Sequence, residues 1–193
     1  MQGCSVLSPG PGAEPAAAVT TEDQPAFSLE VKAPDSVRDT LERHLELQRF
    51  RQLPDLQANE LQRLLGATDA NARELLGTLG YFAPTITVEL TAAQETAGTR
   101  KGAPRTVTVT VEPGPQTRIA RADITVAGTD EADKETLARR QQRLQRNWSL
   151  APGQPFTQSA WDSAKTDGLR QLQARRYPTA RIANSRAEID ADR

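Results

Sequence analysis

Side chains that carry out covalent or metal chemistry are scarce in this sequence. It contains one cysteine, Cys4, and one histidine, His44. A zinc site built on cysteine and histidine would therefore take most of its ligands from carboxylates. A nucleophilic pair would need Cys4 to reach His44, and no motif around either residue supports such a pair. These residue types predict a protein that is not an enzyme and that holds neither a cofactor nor a metal.

The composition indicates small cores rather than one large core. The chain has 193 residues, of which 37% are apolar, and a formal net charge of -1. This length corresponds to one domain or to two small ones. No run approaches the roughly 20 apolar residues of a membrane helix. The near-neutral charge argues against a general polyanion-binding protein.

The first 25 residues are rich in Pro, Gly, Ala, Ser and Thr and contain few large apolar side chains. Such a segment cannot bury enough surface to offset the entropy lost on ordering, so residues 1–25 are predicted to be a disordered tether. Cys4 precedes most of it, in the sequence Gln2-Gly3-Cys4-Ser5. This sequence resembles the end of a bacterial lipobox, and a lipidated Cys4 would anchor the chain to a membrane leaflet. The alternative is a stray thiol.

Three segments of the first half alternate apolar and polar residues, as half-buried strands do. They are residues 27–33, 85–91 and 106–111. The sequence between the first two of these segments predicts helices with apolar residues on one face. The order is therefore strand, helices, strand, strand.

Cap residues divide this helical region into three predicted helices. Asp35 or Ser36 is expected to cap the first helix. The second is expected to stop at Gly66, and the third to begin with Thr68 as its N-cap and to end at Gly80.

The same order begins again in the second half of the chain. Residues 119–126 resemble a strand, two helices follow, and Thr157 or Ser159 opens the second of these helices. Residues 180–189 resemble another strand, and no third strand follows. The predicted fold class is α+β with two tandem βααββ modules, of which residues 26–113 form the first. Residues 114–193 form the second module, which lacks its last strand.

Several short segments stand at the ends of these elements. They are Leu79-Gly80-Tyr81-Phe82-Ala83-Pro84, Glu112-Pro113-Gly114-Pro115, Ile124-Thr125-Val126-Ala127-Gly128, Gly153-Gln154-Pro155-Phe156 and Arg176-Tyr177-Pro178-Thr179-Ala180. In this order they resemble the POTRA domains of the BamA-like outer-membrane assembly superfamily. The first module is most similar to the translocation and assembly module subunit TamA. The second module departs from the family in having Arg176 where a glycine usually precedes the tyrosine.

The resemblance implies a fold and a function. The fold is a three-stranded mixed sheet covered by helices, with the third strand central and the second strand at an edge. The function is that of a non-enzymatic periplasmic scaffold at the outer membrane of a Gram-negative bacterium. It binds unfolded outer-membrane or autotransporter polypeptides, or docks a TamB-like inner-membrane-anchored partner. It then passes its clients to a C-terminal barrel, which attaches the intact protein to the membrane.

Other assignments stay open from the sequence alone. Within the superfamily, the modules can come from BamA or from a two-partner secretion transporter. From a different class, a small enzyme or a nucleic-acid-binding α+β domain is the alternative. That alternative needs converging ionisable groups or a recognition motif, and the sequence contains no such cluster.

The resemblance places the candidate binding site on the second strand, because that strand lies at the sheet edge in POTRA domains. Unpaired backbone groups on an edge can take up an extended partner segment by β-augmentation. The alternative is an ordinary edge strand that binds nothing. The residues of this candidate edge are Thr85, Ile86, Thr87, Val88, Glu89 and Leu90.

A second candidate surface is basic. Residues 115–193 contain 14 basic and 10 acidic groups, a net charge of +4, whereas residues 1–114 contain 10 and 15, a net charge of -5. A basic helix face in the second half can meet phospholipid head groups or an acidic partner, or can simply be solvated. No nucleic-acid motif accompanies it. The face consists of Arg139, Arg140, Arg143 and Arg146.

Two further expectations concern the remaining residues. His44 lies among charged residues on an amphipathic helix and is expected to be solvated or partly packed, without a functional role. Without a closing strand, the apolar surface around Trp148 and Trp161 should be poorly covered. Residues 115–193 are therefore expected to be less stable than residues 27–113.

Overall fold

A computed structural model describes residues 25–53, 55–92, 105–127, 134–174 and 177–190. The predicted tether and Cys4 lie outside the described residues, except for residue 25. Within the described ranges, five helices and three strands follow one another. They are β1 (Ser28–Lys32), α1 (Asp35–His44), α2 (Glu46–Phe50), α3 (Ala58–Thr78), β2 (Thr85–Ala92), β3 (Arg105–Glu112), α4 (Lys134–Arg146) and α5 (Gln158–Gln173).

The three strands form one mixed sheet in the order β1-β3-β2. β1 runs parallel to β3, with Val31 opposite Val109. β2 runs antiparallel to β3, with Val88 opposite the same Val109. The α+β class, the mixed sheet and the central third strand are therefore confirmed for the first module.

The core of the first module lies between this sheet and its helices. The alternation of valine and threonine along β3 places Val107, Val109 and Val111 on one buried face. Leucines of α1 and α3 and the side chain of Phe27 pack in the same cluster. Burying a large apolar side chain contributes about 1.5–3 kcal/mol, so this cluster is the main source of stability. Its fully buried members are Phe27, Val37, Leu41, Leu45, Leu47, Leu61, Leu76, Val107, Val109 and Val111.

The predicted break between two helices at Gly66 and Thr68 is wrong. α3 is continuous through both residues, and Gly66 has an ordinary negative φ. The hydroxyl of Thr68 donates to the carbonyl of Leu64 at 2.8 Å, inside the helix. Thr68 is 3% exposed and belongs to the buried stripe of α3. Packing of this stripe therefore overrides the local stop and start signals. The stripe consists of Leu61, Leu64, Thr68, Ala72 and Leu76.

The start of α1 also differs from the prediction. Pro34 is the N-cap residue, and no side chain caps the helix. The backbone N–H of Arg38 donates to the carbonyl of Pro34 at 3.0 Å. Asp35 lies in the first turn, where its charge is favourable near the helix N-terminus, and forms an ion pair with Arg38 at 2.7 Å.

The C-terminal end of α3 follows the prediction, and Gly80 is the residue that ends it. Gly80 has φ +88°, a left-handed conformation. The N–H of Gly80 donates to the carbonyl of Gly77, and the N–H of Tyr81 donates to that of Leu76. These two bonds are those of a Schellman motif, which satisfies the last carbonyls of a helix.

Gly80 is also the point at which the second half of the chain joins the first. Its carbonyl accepts from the N–H of Thr117 at 2.8 Å, and the Gln116 side chain donates to the carbonyl of Leu79 at 2.8 Å. A Cβ on Gly80 would lie 2.1 Å from the carbonyl oxygen of Phe156. The Phe156 ring packs against the Phe82 ring with centroids 5.9 Å apart. The junction therefore needs a glycine both for its φ and for the close approach of Phe156.

We expect Gly80→Ala to lower the free energy of unfolding by at least about 2 kcal/mol. The left-handed conformation alone costs an alanine about 1–2 kcal/mol, and the new methyl group must displace Phe156 as well. Gly66→Ala is the matched control, because nothing lies within 4 Å of its added Cβ. The control should stabilise α3 by about 0.5–1 kcal/mol. Chemical unfolding of both variants measures this, and equal effects at the two glycines would contradict the account.

The second half of the chain contains α4 and α5 but no strand ladder within the described residues. Thr157 caps α5 by accepting from the N–H of Ala160 at 3.1 Å, as predicted. The predicted strands at 119–126 and 180–189 are not formed in the described part of this region. The one isolated bridge described there joins Arg118 to Pro155. The physical reason is that a strand requires a hydrogen-bonded neighbour, and neither segment has a strand beside it in the described residues.

Burial in this second half is correspondingly sparse. Its buried apolar residues are Leu144, Leu150, Phe156 and Ala164. Trp148 and Trp161 are half-buried and meet edge to face with ring centroids 6.2 Å apart. Among the described residues, three buried side-chain donors have no hydrogen-bond partner, and all belong to this half. They are Arg140 Nε, Trp148 Nε1 and Tyr177 Oη.

We expect the amides of α4 and α5 to exchange hydrogen at least about tenfold faster than those of α3 and β3. Few buried contacts and unsatisfied donors favour local opening, whereas α3 and β3 share the main core. Hydrogen exchange followed residue by residue measures the difference. Equal protection of the two halves would contradict the prediction.

Candidate functional site

β2 forms one edge of the sheet, because it pairs with β3 and with no other strand in the described residues. Backbone N–H and C=O groups alternate between the two sides of a strand, so about half of those in β2 point away from β3. These outward groups are the candidate site. A backbone edge of this kind can pair with another extended chain.

The side chains of β2 divide the strand into two halves. In the first half, Ile86 and Val88 are half-buried against the core, whereas Thr85 and Thr87 are exposed. From Glu89 to Ala92 every residue is exposed, and Leu90 is 38% exposed. The second half of β2 therefore presents an apolar side chain beside its backbone groups. Glu89 is the one charged residue of the strand, so the edge places little charge restriction on what pairs with it.

The other edge of the sheet is less suited to binding. β1 has five residues, compared with eight in β2. Two of them, Glu30 and Lys32, carry opposite charges 3.7 Å apart, and Glu30 also accepts from the hydroxyl of Thr108. Short length and charged side chains are features that keep an edge from pairing with other chains. The geometry therefore favours β2.

An arginine of α3 that is not among the predicted site residues holds the start of β2. Arg73 donates to the carbonyl of Pro84, immediately before β2, at 2.9 Å. It also donates two hydrogen bonds to the Asp69 carboxylate, at 2.7 and 3.2 Å. The bonds to Asp69 raise the pKa of Arg73 above its ordinary value, so Arg73 keeps its charge. The four-residue spacing of Asp69 and Arg73 signals a helical ion pair, but the contact with Pro84 has no sequence signal.

The predicted basic face of α4 is divided by the structure. Arg139, Arg143 and Arg146 are exposed and follow the i, i+4, i+7 spacing of one helix side. Arg139 forms an ion pair with Glu135. Arg140 instead packs with its guanidinium carbon 4.8 Å from the centre of the Tyr177 ring. Three of the four arginines therefore share a surface.

The remaining candidate residues give no site. His44 is the exposed last residue of α1. Cys4 lies outside the described residues. In the ranges that the structure describes, no cluster of acidic, histidine and cysteine side chains is arranged to hold a metal ion. No helix in these ranges is long and apolar enough to cross a membrane.

The alternative of a small enzyme needs a pocket in which ionisable groups converge. A cleft of about 390 Å³ lies between α4 and α5 and is lined by Trp148, Ala164 and Gly168. Its two charged residues, Asp167 and Arg170, form an ion pair with each other at 2.8 Å. This cleft gives no support to a catalytic function.

The first module is thus an α+β unit in which a mixed sheet has a central third strand and one long open edge. Residues 29–113 match the family model described as POTRA domain, TamA domain 1. These residues therefore form a POTRA domain that resembles TamA, and the resemblance identified from the sequence is confirmed for them. A comparison with curated proteins found no match. The family match indicates a periplasmic, polypeptide-binding region of a TamA-like assembly factor.

Proposed function

We propose that this chain is a scaffold that receives extended polypeptides on the open edge of β2. In the intact assembly factor it takes part in the insertion of autotransporters and other outer-membrane proteins, on the periplasmic side of the outer membrane. The observation that carries this proposal is the eight-residue strand β2, which is paired along one side by β3. The match to TamA domain 1 supports the same assignment.

Pairing through the backbone suits a protein with many clients, because every polypeptide carries the same N–H and C=O groups. Each hydrogen bond contributes only about 0.5–1.5 kcal/mol net. Ordering each client residue costs about 1–2 kcal/mol, so backbone pairing alone gives weak, reversible binding. An apolar contact with Leu90, which is exposed, adds affinity without requiring a particular client sequence. A TamB-like partner with an extended segment can dock on β2 by the same interaction.

A proline substitution in β2 tests this proposal. Successive N–H groups point to opposite sides, so prolines at Thr87 and Val88 remove donors from opposite edges of the strand. One variant should weaken the pairing with β3 and lower the melting temperature. The other should leave the fold intact and lower the affinity for an unfolded outer-membrane polypeptide by at least about tenfold. Calorimetry and fluorescence anisotropy measure the two quantities.

Two comparisons make the result decisive. Thr87→Ala and Val88→Ala retain the N–H groups and separate loss of the donor from loss of the side chain. Full client binding by the folded proline variant would refute β-augmentation at β2. In that case β2 would be an ordinary edge strand that binds nothing.

We further propose that the exposed arginines of α4 contact anionic head groups. Arg139, Arg143 and Arg146 lie on one side of α4, in the half of the chain whose net charge is +4. Arginines near an anionic surface contribute about 1 kcal/mol each. The contribution of Arg139 should be smaller, because Glu135 already neutralises part of its charge. Such a contact would hold the second half of the chain against a membrane surface.

We expect the double variant Arg143→Gln/Arg146→Gln to bind vesicles containing phosphatidylglycerol about 30-fold more weakly, from about 1 kcal/mol per arginine. The control is Arg49→Gln/Arg63→Gln, which removes the same charge from exposed positions in α2 and α3. Vesicle sedimentation at low and at physiological salt measures the binding. An equal loss in both double variants would show that net charge, and not this face, attracts the vesicles.

A further inference from the structure

The segment that leads from α3 into β2 is bonded to the second half of the chain. It consists of residues 79–84, which we call the connector. The N–H of Thr117 donates to the carbonyl of Gly80 at 2.8 Å, and the Gln116 side chain donates to the carbonyl of Leu79 at 2.8 Å. The backbone that enters the second half is therefore fixed to the backbone that enters β2.

Phe156 completes this attachment. Its side chain is buried, and its ring packs against the ring of Phe82 with centroids 5.9 Å apart. The N–H of Phe156 donates to the carbonyl of Thr117 at 2.8 Å, so the same residue is bonded to the backbone that bonds Gly80. α5 begins two residues later, at Gln158. The start of α5 and the connector are therefore held to each other.

The first module holds the connector from its other side. Arg73 of α3 donates to the carbonyl of Pro84 at 2.9 Å. Gly114, with φ +71°, brings the chain after β3 so close that an added Cβ would lie 3.2 Å from the carbonyl oxygen of Ala83. β2 begins at the residue that follows the connector. The first residues of β2 thus depend on contacts from both halves of the chain.

This restraint matters because a strand edge binds best when it is already ordered. A polypeptide that pairs with a frayed strand must order both chains, whereas one that pairs with a fixed strand orders only itself. Ordering one additional residue weakens association by about tenfold. In the described residues β2 has no strand on its outer side, so its start is held by β3 and by the connector. The contacts of the connector therefore determine how much of β2 is ready to pair.

We propose that Gln116 and Phe156, which belong to the second half of the chain, are positioning residues for the binding edge of the first module. They hold the connector, the connector holds the first residues of β2, and an extended polypeptide pairs with the strand so held. Occupation of β2 and closure of the junction between the halves then favour each other, as linkage requires. This proposal rests on the proposed function of β2 and adds that the two halves act as one binding unit.

The test uses two junction variants and a control, all in the full chain. Gln116→Ala removes the bond to Leu79, and Phe156→Leu removes the ring contact with Phe82 but keeps an apolar side chain. The control is Leu144→Ala. Leu144 is buried beside the cleft between α4 and α5, so its truncation destabilises the second half without removing a described contact of the connector.

The probe is a labelled synthetic peptide with the sequence of β3, RTVTVTVE, because β3 is the strand that pairs with β2. We expect each junction variant to bind it about threefold more weakly, the effect of one hydrogen bond or one ring contact. The double variant should bind about tenfold more weakly, and Leu144→Ala should bind with unchanged affinity. The β2 amides bonded to β3 should exchange hydrogen faster in the junction variants alone. In the unsubstituted chain, saturating peptide should slow exchange of the Thr117 amide.

Three outcomes would overturn the proposal. One is an unchanged affinity of the double variant for the peptide. Another is an equal loss of affinity in Leu144→Ala, which would make general destabilisation of the second half the cause. The third is a Thr117 amide that exchanges at the same rate with and without peptide. If the double variant loses the near-ultraviolet signal of its tryptophans, Gln116→Ala alone carries the test, with its expected threefold loss.

The folded β2 proline variant separates this proposal from the function proposed for β2. Full peptide binding by the proline variant would overturn both, because β2 would then not be the binding edge. Loss of binding by the proline variant, together with unchanged binding by the junction variants, would overturn only the positioning role of Gln116 and Phe156. Loss of binding in both sets of variants, with the control unchanged, is the result that we expect.

Discussion

The need of every strand for hydrogen-bonded neighbours determines most of this structure. β3 is the one described strand that is paired on both sides, by β1 in parallel and by β2 antiparallel. Its valines also form the sheet side of the main core. A three-stranded sheet with one central strand must have two edges, and the two differ in length and charge. The edge that carries charges is short, and the long edge is nearly neutral, so the sheet has one edge suited to a partner.

The sequence predicted the first module well where its signals were periodic. The alternation along β3 correctly predicted its buried valines, and Gly80 correctly predicted the end of α3. The prediction failed at Gly66 and Thr68, where a local stop and a local cap lie inside a long buried stripe. A helical threonine can satisfy its hydroxyl with the carbonyl four residues earlier, as Thr68 does with Leu64. Packing energy then determines whether the helix continues, and packing cannot be inferred from the type of a single residue.

The second half shows the limit of the same reasoning. Residues 119–126 and 180–189 have strand-like sequences, but such a sequence does not supply the neighbouring strand that a ladder needs. In the described residues, part of the first segment bonds to Gln141 and Gln145 instead. Glutamines on the polar face of a helix are expected to be solvated. Neither the contacts of these two glutamines nor the hydrogen bond from Arg73 to Pro84 could therefore be identified from the sequence. Contacts between distant segments depend on a fold that is already formed.

The start of β2 is restrained from two directions, and this restraint bears on where the proposed binding would begin. Arg73 holds Pro84 from α3, and the junction around Gly80 is bonded to Thr117 and packed against Phe156. Both restraints act within five residues of the first strand residue. The far end of β2 has no such contacts in the described structure, and all its side chains from Glu89 onward are exposed. On the proposed function, an extended polypeptide meets the fewest obstacles at this end, and pairing that begins beside Leu90 can extend toward the fixed end one residue pair at a time.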